Sequence, residues 1–258
     1  MFPTSGLGCG LAWALALILA LAAQGLKVGM LDADIYGPSQ PRMMGLKGRP
    51  HSPDNKIIIP LQNFGVKCMS AGFLVAEDTP MIWRGPMATG ALKQMLTQTE
   101  WGELDILVVD MPPGTGDIQL SLAQDVPVTG AVIVSTPQDI ALLDARKGLN
   151  MFRKVEVPVF GIIENMSYFS CPNCGHVSHI FAHGGAKAEA TKLGTDFLGE
   201  VPLHIDIRET SDGGHPIVVS APDSEHARIF KAIAARVWEK AQAALGDKRR
   251  QAPRIVVS

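Results

Sequence analysis

Residues 105–117 read DILVVDMPPGTGD, and this stretch decides the fold. Asp105–Val109 is a short, largely apolar run of the kind that forms a buried parallel strand. The run is followed by Asp110 and then by a turn rich in proline and glycine. A carboxylate in that position can hold Mg²⁺ through water, and a glycine lets a backbone N–H approach a phosphate. The stretch therefore predicts a phosphate-binding edge of a parallel sheet.

Other short apolar runs along the chain alternate with helical stretches. The remaining predicted strands are Leu26–Leu31, Ala131–Ser135, Val157–Ile163 and Phe197–Val201. The predicted helices are Leu11–Gln24, Met87–Gln98, Gln119–Gln124, Ile140–Phe152, Ala186–Leu193 and Asp223–Ala244. This alternation predicts an α/β fold, a mostly parallel doubly wound sheet with helices on both faces. We expect a single domain over residues 1–245 and a polar tail over residues 246–258.

Two segments depart from this alternation. Lys56–Leu61 and Gly65–Ser70 are predicted to form a hairpin inserted after the first strand, because they lie in a stretch rich in Gly, Pro and β-branched residues. Tyr168–His183 is polar and contains Cys, Pro, Asn, Gly and His, so we predict a loop there.

The composition excludes several classes of protein. The 258 residues are 47% hydrophobic and 19% charged, which is typical of a globular protein. A formal net charge of -2 gives no electrostatic basis for binding nucleic acid. Leu11–Ala23 is continuously apolar, but it is shorter than the roughly 20 residues that cross a bilayer. We expect it to form a buried helix after a phosphate-binding turn, and we expect no membrane partner.

Polar side chains follow two other predicted strands, where ligands bind in doubly wound sheets. Asp32 and Asp34 come after the first strand, and such carboxylates can orient Mg²⁺-bound waters or a nucleophilic water. Capping of the following helix explains the positions of these two aspartates equally well. Asn165 follows the strand Val157–Ile163, where its amide can pair with an adenine edge or simply form a turn.

The strongest chemical signal is a pair of cysteines, Cys171 and Cys174, separated by Pro-Asn. Two thiolates at this spacing can share one metal centre, but a tetrahedral site needs four ligands. One solution is a symmetric dimer in which each chain gives two cysteines to a [4Fe–4S] cluster. A zinc site completed by His176, His179 and His183 is the alternative, and a thiol redox role fits less well in a loop.

Four segments together resemble the Mrp/ApbC family of iron–sulfur cluster carriers. They are LDADIYGPSQPRMMG (31–45), DILVVDMPPGTGD (105–117), VSTPQDIALLDARK (134–147) and IIENMSYFSCPNCGH (162–176). That family belongs to the deviant-Walker P-loop NTPases, with MinD and the nitrogenase iron protein as relatives. The resemblance implies a cytoplasmic homodimer that hydrolyses ATP with Mg²⁺. It also implies a labile [4Fe–4S] cluster exchanged with cluster-assembly scaffolds and apo iron–sulfur proteins.

The resemblance also implies roles for individual residues. Asp34 would be the switch I carboxylate near the γ-phosphate, with Asp32 beside it, and Asp110 the Walker B carboxylate. Switch II would be Gly114, Thr115, Gly116 and Asp117. Asn165 would contact adenine, and Cys171 and Cys174 would ligate the cluster.

The phosphate loop departs from the family pattern. A GKGGVGKS-type loop is expected at Thr4–Leu11, where this chain reads TSGLGCGL and lacks both lysines and the Mg²⁺-binding hydroxyl. ATP hydrolysis is therefore expected only because the chain resembles this family. The alternatives are a metal-binding scaffold of the same fold that does not use nucleotide, and a MinD-like membrane-associated ATPase. The polar, proline-containing end of the chain argues against the MinD-like ATPase, which would be expected to end in a basic amphipathic helix.

Overall fold

The structure is a computed structural model that describes residues 8–54, 56–74, 85–112, 114 and 117–251. Its α-helices are α1 (Gly8–Ala22), α2 (Gln40–Met43), α3 (Gly85–Gln98), α4 (Asp117–Asp125), α5 (Asp139–Lys154), α6 (Gly185–Leu193), α7 (Ile205–Asp212), α8 (Ile217–Ser220) and α9 (Glu225–Gln251). Its strands are β1 (Val28–Asp32), β2 (Leu61–Asn63), β3 (Val66–Ser70), β4 (Ile106–Asp110), β5 (Ala131–Ser135), β6 (Val159–Ser170), β7 (Val177–Ser178) and β8 (Phe197–Leu203). The helices flank the strands, so the predicted α/β class is confirmed.

The first sheet has the strand order β2-β3-β1-β4. Strand β1 pairs parallel with both β3 and β4, while β2 and β3 form the predicted antiparallel hairpin. This hairpin is more than an insertion, because β3 is an integral strand of the sheet. All residues of β1 are buried, as expected for an apolar strand without alternation.

The second sheet is built around β6, which pairs parallel with β5 and β8 and antiparallel with β7. Among the described residues, β4 and β5 share no pairing, so the strands form two four-stranded sheets. Strand β4 is an edge of the first sheet and is only half-buried along its length. The sequence predicted one continuous sheet, and this division is the main topological difference.

Helix α1 is the buried helix predicted from the apolar run at Leu11–Ala23. Every residue from Trp13 to Leu21 is buried, and a helix that is apolar all round must be covered on all sides. It packs against β1, β3 and the long helix α9. Within the described residues, no helix combines the length and the apolar character needed to span a membrane.

Two predicted boundaries differ from the structure. Strand β6 continues past Ile163 to Ser170 and pairs there with β7, so the segment Tyr168–His183 is not simply a loop. The first part of it is an antiparallel hairpin whose turn carries the two cysteines. The last predicted helix, Asp223–Ala244, corresponds to α9, which continues to Gln251.

Candidate functional site

The carboxyl ends of β1, β3 and β4 bring three polar residues side by side. Asp32 is the register partner of Ser70 in β3 and of Asp110 in β4. The Ser70 hydroxyl donates to Asp32 Oδ2 at 2.8 Å, and the Asp34 N–H donates to Asp32 Oδ1 at 3.2 Å. The Asp32 carboxyl is completely buried. The parallel register therefore places the predicted carboxylates at one edge of the first sheet.

At the same edge, Asp34 is buried and Asp110 is half-buried. Asp34 Oδ1 accepts the backbone N–H groups of Tyr36 and Gly37, both at 3.2 Å, so it stabilises the turn after β1. Asp110 Oδ2 accepts a hydrogen bond from Gln40 Nε2 at 2.6 Å. Sequence reasoning missed Gln40, because nothing local indicates a partner that lies 70 residues away. Ser70 was also missed, although it is the polar end of a predicted strand.

Burial raises the pKa values of two of these carboxyls. For Asp32, loss of hydration is the main cause and the charge of Asp110 adds to it, so the pKa rises to about 7. Burial likewise raises the pKa of Asp110 to about 6, against the opposing hydrogen bond from Gln40. Among the described residues, no Lys or Arg forms an ion pair with Asp32, Asp34 or Asp110. This concentration of uncompensated carboxyl groups suits a bound cation.

The raised pKa values predict that stability depends on pH. The folded state holds these protons more tightly than the unfolded state does, since the ordinary Asp pKa is 3.8. The resulting stabilisation is complete below about pH 4 and is lost as the pH rises through about 6 to 7. The free energy of unfolding should therefore fall between about pH 5 and pH 8 in urea titrations. Asp32→Asn should flatten this decline. The control is Asp144→Asn, at an exposed position of α5, which should leave the decline unchanged. If stability declined equally with pH in Asp32→Asn and in the unsubstituted protein, the prediction would be contradicted.

The predicted switch II residues are only partly described. Gly114 has φ +98°, a conformation that favours glycine, and Gln119 Nε2 donates to the Pro112 carbonyl at 3.1 Å across the turn. Helix α4 begins at Asp117, although its side chain lies outside what the structure describes. Thr115 and Gly116 also lie outside the described residues. The same holds for residues 4–7 of the predicted phosphate loop and for the side chains of residues 8–11.

Asn165 lies on β6 in the second sheet, away from the strands that carry the carboxylates. It is buried and is the register partner of Val201 on β8. A small cavity of about 20 Å³, which is room for one water, adjoins it. The lining includes Met166, Pro202 and Leu203. Within the described residues, Asn165 and the carboxylate-bearing strands β1 and β4 therefore lie in different sheets.

The two cysteines lie in the turn of the β6–β7 hairpin. The N–H of Cys171 donates to the His176 carbonyl at 2.9 Å, and the N–H of Gly175 donates to the Cys171 carbonyl at 2.8 Å. Cys171 is half-buried, Cys174 is exposed, and both are free thiols. Backbone N–H groups of Asn173 and then Cys174 donate to the Cys171 sulfur and lower the pKa of its thiol. The turn therefore favours the thiolate, which is the form that binds metals.

The alternative zinc site is not formed within the described part of one chain. No histidine or carboxylate there joins the two thiols in a group of three ligand atoms. His183 instead stacks on His179, with ring centroids 4.2 Å apart, and groups with Glu164 and Glu200. The described part of one chain thus offers the thiols of Cys171 and Cys174 as ligands at the hairpin turn.

Parallel strands that end in carboxylates and are flanked by helices are typical of α/β proteins that bind a ligand at the carboxyl ends of their strands. The sequence of this chain matches the model of the ParA family described as NUBPL iron-transfer P-loop NTPase over residues 6–238. The chain therefore belongs to that family, and the resemblance noted from the sequence is confirmed.

Relatives in the family carry names that refer to iron–sulfur clusters. The chain is 52% identical over 249 residues to the iron–sulfur cluster transfer protein NUBPL of Dictyostelium discoideum, covering 95% of this chain and 77% of the relative. It is 59% identical over 225 residues to the iron–sulfur cluster carrier protein of Escherichia coli K12, covering 87% of this chain and 61% of the relative. The chain thus spans less than two thirds of the Escherichia coli protein.

Solved structures support the same fold. A nucleotide-binding protein from Archaeoglobus fulgidus in complex with ADP, with cobalt also found in it, has a TM-score of 0.71 and 38% identity, with 84% of each chain covered. The septum site-determining protein MinD of Pyrococcus horikoshii, complexed with Mg-ADP, has a TM-score of 0.67 and covers 93% of this chain and 94% of its own. At 18% identity, the MinD similarity shows the fold alone.

Proposed function

We propose that this protein carries a [4Fe–4S] cluster on Cys171 and Cys174 and passes it to apo iron–sulfur proteins. The observation that carries the proposal is the pair of accessible free thiols in the hairpin turn, one with a lowered pKa. An exposed site allows a recipient's thiolates to replace the carrier's thiolates one at a time. The names of the relatives, as cluster carrier and cluster transfer proteins, support this proposal.

The proposed functional unit is a homodimer. A four-thiolate cluster needs two more ligands than the hairpin of one chain provides. A twofold axis passing between two hairpin turns would supply them from identical surfaces. The cluster would arrive from an assembly scaffold. The proposed location is the cytoplasm, since Cys68, Cys171 and Cys174 are all free thiols, the state that a reducing compartment maintains.

ATP is the proposed ligand of the carboxylate edge, and ATP hydrolysis the proposed reaction. Asp110 and Asp32 fit a Mg²⁺ ion, because buried carboxyls with raised pKa values gain most from a nearby cation. Asp34 would face the γ-phosphate, Gly114 to Asp117 would approach the phosphates through backbone N–H groups, and Asn165 would contact adenine. Binding is expected to be weak, because residues 4–11 supply no lysine to the triphosphate.

One reconstitution experiment tests the function. The protein is loaded anaerobically with iron and sulfide, sized by gel filtration, and mixed with an apo-ferredoxin that accepts a [4Fe–4S] cluster. We expect a dimer with about one cluster per two chains, and gain of the cluster by the ferredoxin. A monomer that retains a complete cluster would contradict the dimer. A loaded protein that transfers nothing would contradict the carrier role and favour a fixed metal-binding scaffold.

Two further arms of that experiment address the nucleotide. ATP turnover is measured on the same sample, and ATP affinity is compared by calorimetry with a variant whose residues 4–11 read GKGGVGKS. The variant should bind ATP at least about tenfold more tightly, since a charge-assisted hydrogen bond contributes about 1.5–3 kcal/mol. Adding Asp110→Ala to the variant should abolish its turnover. Equal affinities, or unchanged turnover, would show that the phosphates bind elsewhere.

A further inference from the structure

A second group of metal-binding side chains lies at the base of the cysteine hairpin and has no part in the proposed function. Glu164 and Ser167 come from β6, Glu200 from β8, and His183 from the segment just before α6. The ligand atoms of Glu164, His183 and Glu200 all lie within 4.8 Å of one another. We call these four residues the β6 cluster.

The Ser167 hydroxyl occupies the centre of the β6 cluster. Ser167 is completely buried, and its Oγ lies 2.6 Å from Glu164 Oε1, 2.9 Å from Glu200 Oε2 and 3.3 Å from His183 Nδ1. A hydroxyl has a single hydrogen, and ionised carboxylates only accept hydrogen bonds. Even with His183 donating to the hydroxyl, one of the two serine–carboxylate contacts lacks a hydrogen. The cluster is therefore short of one hydrogen, a deficit that an added proton or a bound cation would remove.

Among the described residues, no Lys or Arg forms an ion pair with the β6 cluster, so only a protonated His183 would offset its two carboxylates. Glu164 accepts the backbone N–H groups of Gly184 at 3.0 Å and Ala186 at 2.7 Å, which fix the orientation of its carboxylate. Glu200 Oε2 lies 4.0 Å from His183 Nδ1. The Glu200 and His183 side chains are 42% and 46% exposed, so an ion can reach them from solvent.

The backbone of β6 is shaped to turn Ser167 toward this group. The pairing with β8 shifts between Asn165 and Phe169, which are register partners of Val201 and Leu203. Between these two pairs, β6 advances by four residues while β8 advances by two, so β6 bulges. Met166 lies in this bulge and has a positive φ of +55°. Bulges of this kind re-aim side chains in a strand. The β6 cluster is therefore a product of the irregular pairing rather than a chance surface contact.

We propose that Glu164, His183 and Glu200 bind a divalent transition-metal ion at a site separate from the cysteine hairpin. One imidazole nitrogen and two carboxylate oxygens form a mixed set that suits Mn²⁺, Fe²⁺, Co²⁺ or Zn²⁺, and the imidazole disfavours Ca²⁺. The ion offsets the charge of the two carboxylates, and the hydroxyl of Ser167 becomes a further ligand or turns aside. Backbone N–H groups at the start of α6 hold Glu164 in place, as supporting hydrogen bonds commonly do for metal ligands.

Such an ion would brace the base of the cysteine hairpin. It would connect β6, β8 and the residues before α6, and β6 runs from Ser167 to Ser170, the residue before Cys171. The ion would therefore restrict the movement of the hairpin without contacting the thiols. Because Cys171 and Cys174 are not ligands of this site, binding should survive their replacement, and the test can be made independent of cluster loading.

The test uses full-length protein carrying Cys171→Ser and Cys174→Ser, titrated with Co²⁺ and followed by visible absorption and calorimetry. We expect one Co²⁺ per chain, with no sulfur-to-cobalt absorption band and a dissociation constant in the micromolar range. Adding Glu200→Gln or His183→Gln should weaken binding by about tenfold to a hundredfold. The matched control is His176→Gln, a histidine of the same hairpin outside the β6 cluster, and it should bind as the parent does.

Thermal unfolding gives a second readout that does not depend on the cobalt spectrum. Co²⁺ should raise the unfolding temperature of the double-serine protein and of His176→Gln, and should not raise that of Glu200→Gln. The proposal is overturned by binding no tighter than millimolar, which would mean that an added proton, rather than a metal ion, removes the deficit. It is equally overturned by a loss of affinity in His176→Gln as large as that in Glu200→Gln.

Discussion

Replacing Cys171 or Cys174 with serine is expected to reduce the iron and sulfide retained after anaerobic reconstitution to below about one tenth of the normal amount. A serine hydroxyl stays protonated at neutral pH and is a poor ligand for iron, whereas the turn already favours the thiolate of Cys171. In a dimer each substitution removes two of the four ligands. Iron and sulfide analysis of gel-filtered protein gives the measurement.

Cys68→Ala is the control for these serine variants. Cys68 is fully buried in β3, and burial raises the pKa of its thiol, so it should take no part in cluster binding. This variant should retain the normal amount of iron. The two serine variants should keep the unsubstituted free energy of unfolding within about 0.5 kcal/mol, because the hairpin turn is on the surface. A serine variant that keeps a full cluster would assign the ligands to other residues.

Gly161→Ala is expected to destabilise the protein by about 3–5 kcal/mol, the largest effect on stability that we predict. Gly161 lies in β6 with φ +151°, outside the range that side chains readily adopt. A Cβ there would lie 2.5 Å from the Asp196 carbonyl oxygen and 2.7 Å from Leu198 Cγ. The Asp196 carbonyl also accepts the N–H of Ile162 at 2.8 Å, so relief of the clash would separate β6 from β8.

Gly90→Ala is the matched control, and it is expected to raise the free energy of unfolding rather than lower it. Gly90 is exposed on α3, and a Cβ there would meet nothing within 4 Å. Alanine should therefore stabilise the helix by up to about 1 kcal/mol. Urea unfolding of both variants measures the difference. A Gly161→Ala protein that is as stable as Gly90→Ala would show that β6 and β8 do not approach as closely as described.

Most strands were predictable from sequence because they are short, continuous apolar runs. Ala131–Ser135 matches β5 at both ends, and the run before Asp110 differs from β4 by a single position at each end. Apolar runs of this kind reflect local composition, which a sequence displays directly. The carboxylates at the ends of β1 and β4 were also predictable, since parallel strands end at a common edge.

What the sequence did not reveal depends on contacts between distant segments. The β6–β7 hairpin was read as a loop, because β7 is only two residues long and polar. Gln40 meets Asp110 only once α2 has been placed against β4. The β6 cluster draws on residues from 164 to 200, and its centre arises from an irregular register that no periodicity in the sequence indicates.

The packing of α1 against α9 has a consequence for how the chain folds as it is synthesised. The side chain of Gln24, just after α1, donates to the carbonyl of Lys231 in α9, and these residues are 207 positions apart. At about 5–20 residues per second, α1 waits roughly ten to forty seconds on the ribosome before its main partner is made. Throughout that interval the part of its apolar surface that α9 covers is open to chaperones or to other nascent chains. Completion of the core therefore depends on α9, a helix that is translated long after α1.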